Sequence, residues 1–566
     1  MYDVYQQVWG ELTAVGAQFE VETIEVRGNP MRSFKNAPPS VRELWLASAA
    51  FAGNDYLVYE DERLTYAQTH DNVASIANWM AANGVQYGDR VAIAMRNYPE
   101  WMQCYWAALS MGAVAVGINA WWVSEELRYG LEDSAPKVIF TDAERLERLS
   151  PLLPSHPNMK VVTVRADAQA SAGFVTFDEV LAAPAELPTV SIDPDDDACI
   201  FYTSGTTGRP KGAQQTHRGC VANVLNLAFA SALAGQAIAR AKGEAPPDPA
   251  AAPTPATLVT TPLFHVTANN CGAYATTLAG GKLVHMYRWD AGTALELIEA
   301  ERISSVSGVP VMAREIISHP DFATRDTSSL TAISGGGAQF QPDLVAKVDE
   351  LGTAARPSTG YGMTETCGII TSIASDFFVM KPNSVGPAMP TFETQCVDED
   401  GNVVPQGELG ELWVRGAPVI KGYLNRADAT AESITDGWLH TGDIARLDED
   451  DCIFIVDRAK DMVLRGGENV YCAEVENSLY KHDAIAECSV FGVPDDRLGE
   501  EVGAALFLKE GAQVTPAELR SHCQEIMAKH KIPRYMWVLN EPLPRNASGK
   551  FLRRELKEIL ATDDAA

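Results

Sequence analysis

The segment Tyr202-Thr203-Ser204-Gly205-Thr206-Thr207-Gly208-Arg209-Pro210-Lys211-Gly212 holds the densest chemistry in the chain. It follows the apolar run 198–201, which reads as a strand. Closely spaced glycines let backbone N–H groups curl around an anion, while the hydroxyls and the lysine add donors and positive charge. A loop of this kind suits phosphate. No Gly-Lys-Ser/Thr triplet follows, which excludes the arrangement used by kinase-like NTPases.

Six further clusters follow in order. They are Pro262-Leu263-Phe264-His265, Ser334-Gly335-Gly336-Gly337-Ala338 and Tyr361-Gly362-Met363-Thr364-Glu365-Thr366. Then come Gly437-Trp438-Leu439-His440-Thr441-Gly442-Asp443, Asp457-Arg458-Ala459-Lys460-Asp461 and Pro544-Arg545-Asn546-Ala547-Ser548-Gly549-Lys550. With the glycine loop, this series resembles the AMP-forming acyl-CoA synthetase, adenylation-domain and luciferase superfamily from about Leu44 to Leu560.

The resemblance implies an enzyme that joins a carboxylic acid to the α-phosphate of ATP, expels pyrophosphate, and passes the acyl group to coenzyme A. It gives Thr203, Ser204, Thr206 and Lys211 to the β- and γ-phosphates, on a loop shaped by Gly205, Thr207 and Gly208. Glu365, with Thr203, would hold Mg²⁺, a hard cation that favours oxygen ligands. The nucleotide would meet Gly335, Gly336, Gly337, Ala338, Gly360, Tyr361, Gly362, Met363, Thr364 and Ile455, with adenine stacked on Tyr361. Asp443 would accept from the ribose hydroxyls, assisted by Arg458. Lys550 would bridge the carboxylate and the α-phosphate, and His265 would stand beside the reacting acid. Phe264, His265, Val266, Asn269, Gly336 and Met363 would line the acyl slot. The C-terminal domain would turn about Lys460 and present Arg465, Gly466 and Gly467 to the pantetheine arm. Tyr471-Cys472 departs from the Tyr-Pro frequent at that place.

Adenylating enzymes for amino acids usually carry an aspartate where this chain has His265, and no carboxylate occurs from Val266 to Asn270. A substrate without a free amino group is therefore expected. Three successive glycines leave room for a tail, so a medium- or long-chain fatty acid is expected, with an aromatic or terpenoid acid fitting the same slot. A stand-alone enzyme loading a carrier protein shares every adenylation residue, and activity with free coenzyme A separates the two. A luciferase-like oxygenase leaves no sequence mark of its own. A non-catalytic sensor would be expected to lack Lys550, Glu365 or Lys211, and all three are present.

The elements that must position these residues alternate between strand-length and helical patterns. Runs 91–95, 113–119, 137–141, 160–164, 198–204, 282–286 and 330–337 are apolar and of strand length. Between Ala67 and Gly84, Val73, Ile76, Ala77, Met80 and Ala81 recur at helical spacing. The fold class expected is α/β: a large multi-lobed N-terminal domain of parallel-sheet layers with a β subdomain from about Glu393, and a small mobile α+β C-terminal domain. The boundary is set at the hinge, giving domains 1–459 and 460–566. The Ala- and Pro-rich stretch 237–256 reads as a surface loop.

Seventy-five Asp and Glu against 45 Lys and Arg give a formal charge of −30. Such a surface repels phosphate backbones, so no nucleic-acid partner is expected. The ten cysteines form neither a CxxC pair nor a Cys/His metal spacing, and read as buried thiols. No run of about 18 uninterrupted apolar residues occurs, so no spanning helix is expected. The N-terminus has acids where a signal peptide carries lysines, and cytoplasmic residence is the expectation. The partners implied are the small-molecule acid and coenzyme A, with a homodimer left open.

Overall fold

The computed structural model of the chain describes residues 1–203, 209–248, 253–466, 468–495, 497–546, 549–560 and 565. The body is built on two eight-stranded sheets. In the first, the strands run in the order Gly422–Tyr423, Lys211–Thr216, Asp197–Thr203, Val114–Gly117, Arg90–Ala94, Val138–Asp142, Lys160–Val164, Val175–Thr176. From Asp197–Thr203 to Val175–Thr176 all pairings are parallel, and the other two are antiparallel. Every residue of Val138–Asp142 is buried. Continuous apolar runs are what a strand covered on both faces requires. The covering helices show the reason: Pro99–Ser110 buries every residue except Glu100. Tyr66–Ala82 starts on a reciprocal Thr65–Gln68 cap and buries Val73, Ile76, Ala77 and Met80. Ala81, counted with that face from its spacing, is exposed instead.

The second sheet runs Ile373–Ala374, Arg356–Thr359, Ala332–Gly335, Ser305–Gly308, Ala256–Val259, Lys282–His285, Asp55–Tyr59, Glu62–Thr65, antiparallel only at its two edges. Loops at the carboxyl ends of both sheets meet. Asn97, beyond Arg90–Ala94, donates from Nδ2 to the Thr261 carbonyl at 3.0 Å and accepts from the Leu263 N–H at 3.0 Å. Gly117, at the end of its strand, has no room for a side chain: a Cβ there would lie 2.6 Å from the Phe201 ring and 3.2 Å from Phe264 Cβ. Carboxyl-end crevices are where open parallel sheets take ligands, and Asn97, Thr261 and Leu263 meet at this one.

A six-stranded antiparallel sheet follows, with Trp438–Leu447 between Gly410–Gly416 and Cys452–Arg458. The next strand, Val463–Arg465, pairs in a separate five-stranded sheet with Glu468–Val470 and Gly499–Leu508. The chain thus changes sheets across 459–462. The C-terminal sheet has its own core around Val463, Val475, Leu479, Val490 and Leu506.

The expectation of a loop over 237–256 is corrected at both ends. The helix His217–Lys242 takes in Ala237 to Lys242, ends on Gly243 in the left-handed region, and the strand Ala256–Val259 begins at Ala256. By length and composition this 26-residue helix could cross a membrane, although no uninterrupted apolar run announces it. Here it joins two cores, with Val221 and Val224 in one and Phe229 and Leu233 in the other.

Candidate active site

The end of the cleft read from the sequence as the phosphate end is framed by a hairpin. Thr203 and Lys211 are register partners at the mouth of the loop, and Thr203 Oγ1 donates to the Lys211 carbonyl at 3.4 Å. Ser204, Gly205, Thr206, Thr207 and Gly208 lie outside the described residues. The Lys211 ammonium sits 4.1 Å from the centroid of the Tyr423 ring, and the Tyr423 hydroxyl donates to Glu365 Oε1 at 2.8 Å. One tyrosine therefore fixes both the cation and the carboxylate of the phosphate end. Tyr423 was not among the residues singled out from the sequence, and Gly422-Tyr423-Leu424-Asn425 carries no charge to mark it.

Glu365 stands on the short turn Thr364–Thr366, held from behind by the Ile420 N–H on its carbonyl. Gly362 and Gly360 are demanded by packing. A Cβ on Gly362 would come 1.9 Å from the Gly368 carbonyl oxygen, and one on Gly360 2.9 Å from that of Thr371. Met363 and Thr364 continue this loop, half-buried.

Asp443 and Arg458, read from the sequence as ribose residues, are register partners on adjacent strands, and Arg458 Nε lies 3.2 Å from Asp443 Oδ1. The Tyr361 hydroxyl donates to Asp443 Oδ2 at 2.5 Å. Burial lifts the Asp443 carboxyl above its ordinary range, against the pull of Arg458 and Tyr361. Burial also works against the Arg458 charge, but Asp443, Tyr361, Asp461 and Glu365 together outweigh it and hold the guanidinium above its usual value. A carboxylate offers about four acceptor positions. Two are used here, which leaves capacity for a vicinal diol such as ribose. Ile455 is half-buried on the same strand as Arg458.

Lys550 reaches this cluster from the C-terminal domain. Its backbone N–H donates to Asn546 Oδ1 at 3.0 Å, and its carbonyl accepts from the Asn546 N–H at 2.9 Å. Arg545 steadies the turn, donating to the Gly549 carbonyl at 3.0 Å and to Glu487 Oε1 at 2.7 Å. The side chain lies over Gly337, where an added Cβ would stand 3.2 Å from Lys550 Cε. Burial, then the Arg458 charge, lowers the ammonium to about 8, with Asp443 and Glu365 acting in the other direction. Across the cleft, burial and the Lys550 charge lower His265 to about 4, so its ring is neutral at pH 7. Lys550, His265, Asp443, Arg458 and Glu365, far apart in sequence, share one electrostatic environment.

The acyl side differs from its expected form. Of the three glycines, only Gly336 opens onto free space. A Cβ on Gly335 would meet the Phe340 ring at 2.1 Å, and Gly337 faces Lys550. Gly336 is fixed by its N–H on the Gly308 carbonyl at 2.9 Å, and Ala338 beyond it is exposed. Phe264 and Val266 are buried. Asn269 lies on a π-helical turn, Thr267–Ala273, a local widening found often at functional sites. Its Nδ2 donates to Asn270 Oδ1 at 2.8 Å, and Asn270 donates onward to Gln215 Oε1 at 2.7 Å and the Cys367 carbonyl at 2.9 Å. Gln215 in turn donates to the Thr364 carbonyl at 3.0 Å. A buried amide chain thus ties the acyl slot to the turn that carries Glu365.

The residues read as hinge and thiol passage are not brought into the cluster. Lys460 is exposed between the two sheets. Arg465 makes a bidentate pair with Glu501, at 2.7 and 2.8 Å, inside the C-terminal sheet. Gly466 donates its N–H to the Leu498 carbonyl, and Gly467 lies outside the described residues. Cys472 has a structural role that a proline could not fill. Its N–H donates to Asp457 Oδ2, a carboxyl that burial raises to about 6, and its Sγ donates to the Asp461 carbonyl at 3.1 Å. Arg553 faces the same group, 4.0 Å from Asp457 and 2.9 Å from Asp461.

The donor set fits the groups that the resemblance implies. A carboxylate and a lysine lie at the phosphate end, a buried carboxylate with spare acceptors suits the ribose, and an ammonium lies between them. Comparison with known proteins agrees. The AMP-binding enzyme family matches residues 45–424, and its C-terminal domain matches residues 474–550. A feruloyl-CoA synthase of an Amycolatopsis species is 36% identical over 496 residues, covering 87% of this chain and 93% of its own. A 2-succinylbenzoate–CoA ligase of Bacillus cereus is 32% identical over 521 residues, covering 91% and 98%. The structure of o-succinylbenzoate CoA synthetase from Bacillus subtilis with its acyl-adenylate intermediate superposes with a TM-score of 0.75 at 30% identity, covering 92% and 98%. The chain belongs to the AMP-binding enzyme family and is an ATP-dependent, AMP-forming acid:coenzyme A ligase that works through an acyl-adenylate.

Proposed function

We propose that the acid is aromatic, a carboxylate carried on or near an aryl group, rather than a fatty acid. The observation that carries this reading is that one glycine of the three, Gly336, is open, while Phe264 is buried and the His265 ring is neutral. Two glycines that would have widened it for a flexible tail are filled by Phe340 and Lys550. The relatives named for feruloyl and 2-succinylbenzoate substrates support the same class.

In the first half-reaction the acid's carboxylate oxygen attacks the α-phosphorus and pyrophosphate leaves. Both reactants are anions, so a preorganised cation between them lowers the barrier most. Lys550 supplies it. Arg458 and Asp443 fix the ribose, Tyr361 flanks adenine, and Thr203 and Lys211 hold the outgoing phosphates. Glu365 with Thr203 would hold Mg²⁺, which would supply neutralisation of the phosphate charge. His265, kept neutral, places no second positive charge against Lys550. In the second half-reaction the thiol sulfur attacks the acyl carbon and AMP leaves. The C-terminal domain, residues 460–566, turns about Lys460 for this step, withdrawing Lys550 and bringing up Arg465, Gly466 and Gly467.

The experiment is release of pyrophosphate and AMP with ferulic, 2-succinylbenzoic, benzoic, octanoic and palmitic acids, each with and without coenzyme A. An aryl acid giving stoichiometric AMP and thioester supports the proposal. Turnover highest with octanoate or palmitate rejects it.

A further inference from the structure

Three amide side chains run in file through the core toward the turn Thr364–Thr366. Asn269 and Asn270 stand on the π-helical turn Thr267–Ala273 and Gln215 on the strand Lys211–Thr216, and all three are buried. Backbone carbonyls fix which way each amide points. Gln215 Nε2 donates to the Thr364 carbonyl at 3.0 Å, so its Oε1 is left to accept from Asn270 Nδ2 at 2.7 Å. Asn270 Nδ2 also donates to the Cys367 carbonyl at 2.9 Å, so its Oδ1 accepts from Asn269 Nδ2 at 2.8 Å. One atom at the head of the file remains. Asn269 Oδ1 has no hydrogen-bond partner among the described residues, although Asn269 is 0% exposed. A buried acceptor without a donor is costly, and calls for a group that completes it. Asn269 stands one helical turn on from His265, with its N–H on the His265 carbonyl at 3.0 Å, so the two side chains share a face. His265 is the residue that feels the Lys550 charge.

The tail of the file ends on strained backbone. Cys367, the residue after the turn that carries Glu365, lies in the left-handed region at φ 55° without being glycine. Strain of this kind persists only where the surroundings over-determine it. Here Asn270 holds the Cys367 carbonyl, Gln215 the Thr364 carbonyl, and the Ile420 N–H the Glu365 carbonyl between them, at 2.9 Å. Asn223 joins the same two segments from another side. Its Nδ2 donates to the Asn270 carbonyl at 3.0 Å, and its Oδ1 accepts from the Ile369 N–H at 2.9 Å. Gln215 is therefore not needed to keep the two segments together, and its amide is free to serve another purpose.

We propose that Asn269 accepts a hydrogen bond from a donor group on the acid, a phenolic hydroxyl or an aryl amine, and that Asn270 and Gln215 are positioning residues that pass its occupation to the turn carrying Glu365. Hydrogen bonds in a chain polarise one another. A donor on Asn269 Oδ1 strengthens each bond down to the Thr364 and Cys367 carbonyls, and so steadies Glu365 for Mg²⁺ and the nucleotide. The protein takes its nucleotide best when the acid in the slot carries the donor. This inference rests on the aryl reading above and adds to it a substituent and a coupling.

The test is calorimetric titration of the protein, saturated with ferulic or 3,4-dimethoxycinnamic acid, with the Mg²⁺ complex of α,β-methylene-ATP, from which pyrophosphate cannot leave. The second acid differs from the first only in carrying a methyl ether where ferulic acid has its phenol. The wild-type protein should bind the nucleotide about three- to tenfold more tightly with ferulic acid, the worth of one hydrogen bond. Gln215→Leu should bring the two Kd values together while its urea midpoint stays near wild type. Should Gln215→Leu not fold, Asn269→Ala, which leaves the bonds to both carbonyls in place, decides by the same readout. Equal nucleotide affinity with the two acids in the wild-type protein overturns the inference and leaves the aryl reading standing. Variants that weaken nucleotide binding by one factor with both acids overturn it too, since that is a structural role alone. A protein that binds palmitic acid and neither cinnamic acid rejects the aryl reading and this inference with it.

Discussion

In the proposed mechanism Lys550 bridges two anions, a role it can fill only while protonated. Burial and Arg458 bring its ammonium down to about 8, near working pH. In the free enzyme the charged fraction falls as pH rises through that value, so kcat/KM for ATP should decline on the alkaline side with an apparent value near 8. The Lys550→Arg variant, whose guanidinium stays charged, should lose that limb while adenylating more slowly, and Lys550→Ala should lose about 10²- to 10³-fold in pyrophosphate release. A pH profile of pyrophosphate release checks all three. Tyr423 acts differently, because it reaches the chemistry through Glu365 and Lys211. Tyr423→Phe keeps the ring under the lysine and deletes only the hydroxyl on the carboxylate. The Mg²⁺ concentration for half-maximal adenylation should rise about 10- to 100-fold, the usual cost of losing a group that orients a metal ligand. Sequence displayed Lys550 and Glu365 through the motifs around them. Tyr423 stayed hidden because its partner, Glu365, is 58 residues away.

At the scale of elements, the turn after the strand Ala332–Gly335 shows what spacing conveys and what it withholds. Three adjacent glycines announce a place where side chains are unwelcome, but not what excludes each one. Phe340 excludes a side chain at 335, Lys550 crowds 337, and only 336 faces open space. Gly335→Ala should therefore be destabilising by about 1–3 kcal/mol through overpacking, read as a lower urea midpoint. Gly336→Val should leave that midpoint near the wild-type value and raise KM for the acid, since the added methyls enter the acyl slot. The strands themselves were legible because burial on both faces leaves continuous apolar runs, as at 138–140 and 114–117. The helix extending through Ala237–Lys242 was not, because an Ala-rich end beside prolines has the composition of a loop. Cys472 shows the same limit: the sequence displays a missing proline, while the reason, an N–H spent on buried Asp457, lies 15 residues upstream.

The whole molecule poses a problem that one static arrangement cannot solve. Lys550 occupies the cleft over Gly337, yet Arg465 is tied to Glu501 within the C-terminal sheet. The motifs displayed both residues, but their separation follows from the change of sheet across 459–462, which motif order does not contain. If the C-terminal domain must turn for thiol attack, the turn has to be absorbed by backbone dihedrals in that connection. Ala459 is anchored by its N–H on the Gly442 carbonyl, and Asp461 and Met462 by theirs on the Arg458 carbonyl. Lys460 is exposed between them. Proline at 460 fixes φ near −65° and restricts the residue before it, so Lys460→Pro should hold the domain near one orientation. Because the existing orientation has Lys550 in place, adenylation should survive within about tenfold while transfer to coenzyme A falls by about 10²-fold or more, a barrier increase of about 2.7 kcal/mol. Rapid-quench measurement of acyl-adenylate formation and its decay with coenzyme A separates the steps. Equal losses in both would show that the substitution disturbs the site rather than the motion. Undiminished transfer would place the pivot elsewhere in the connection.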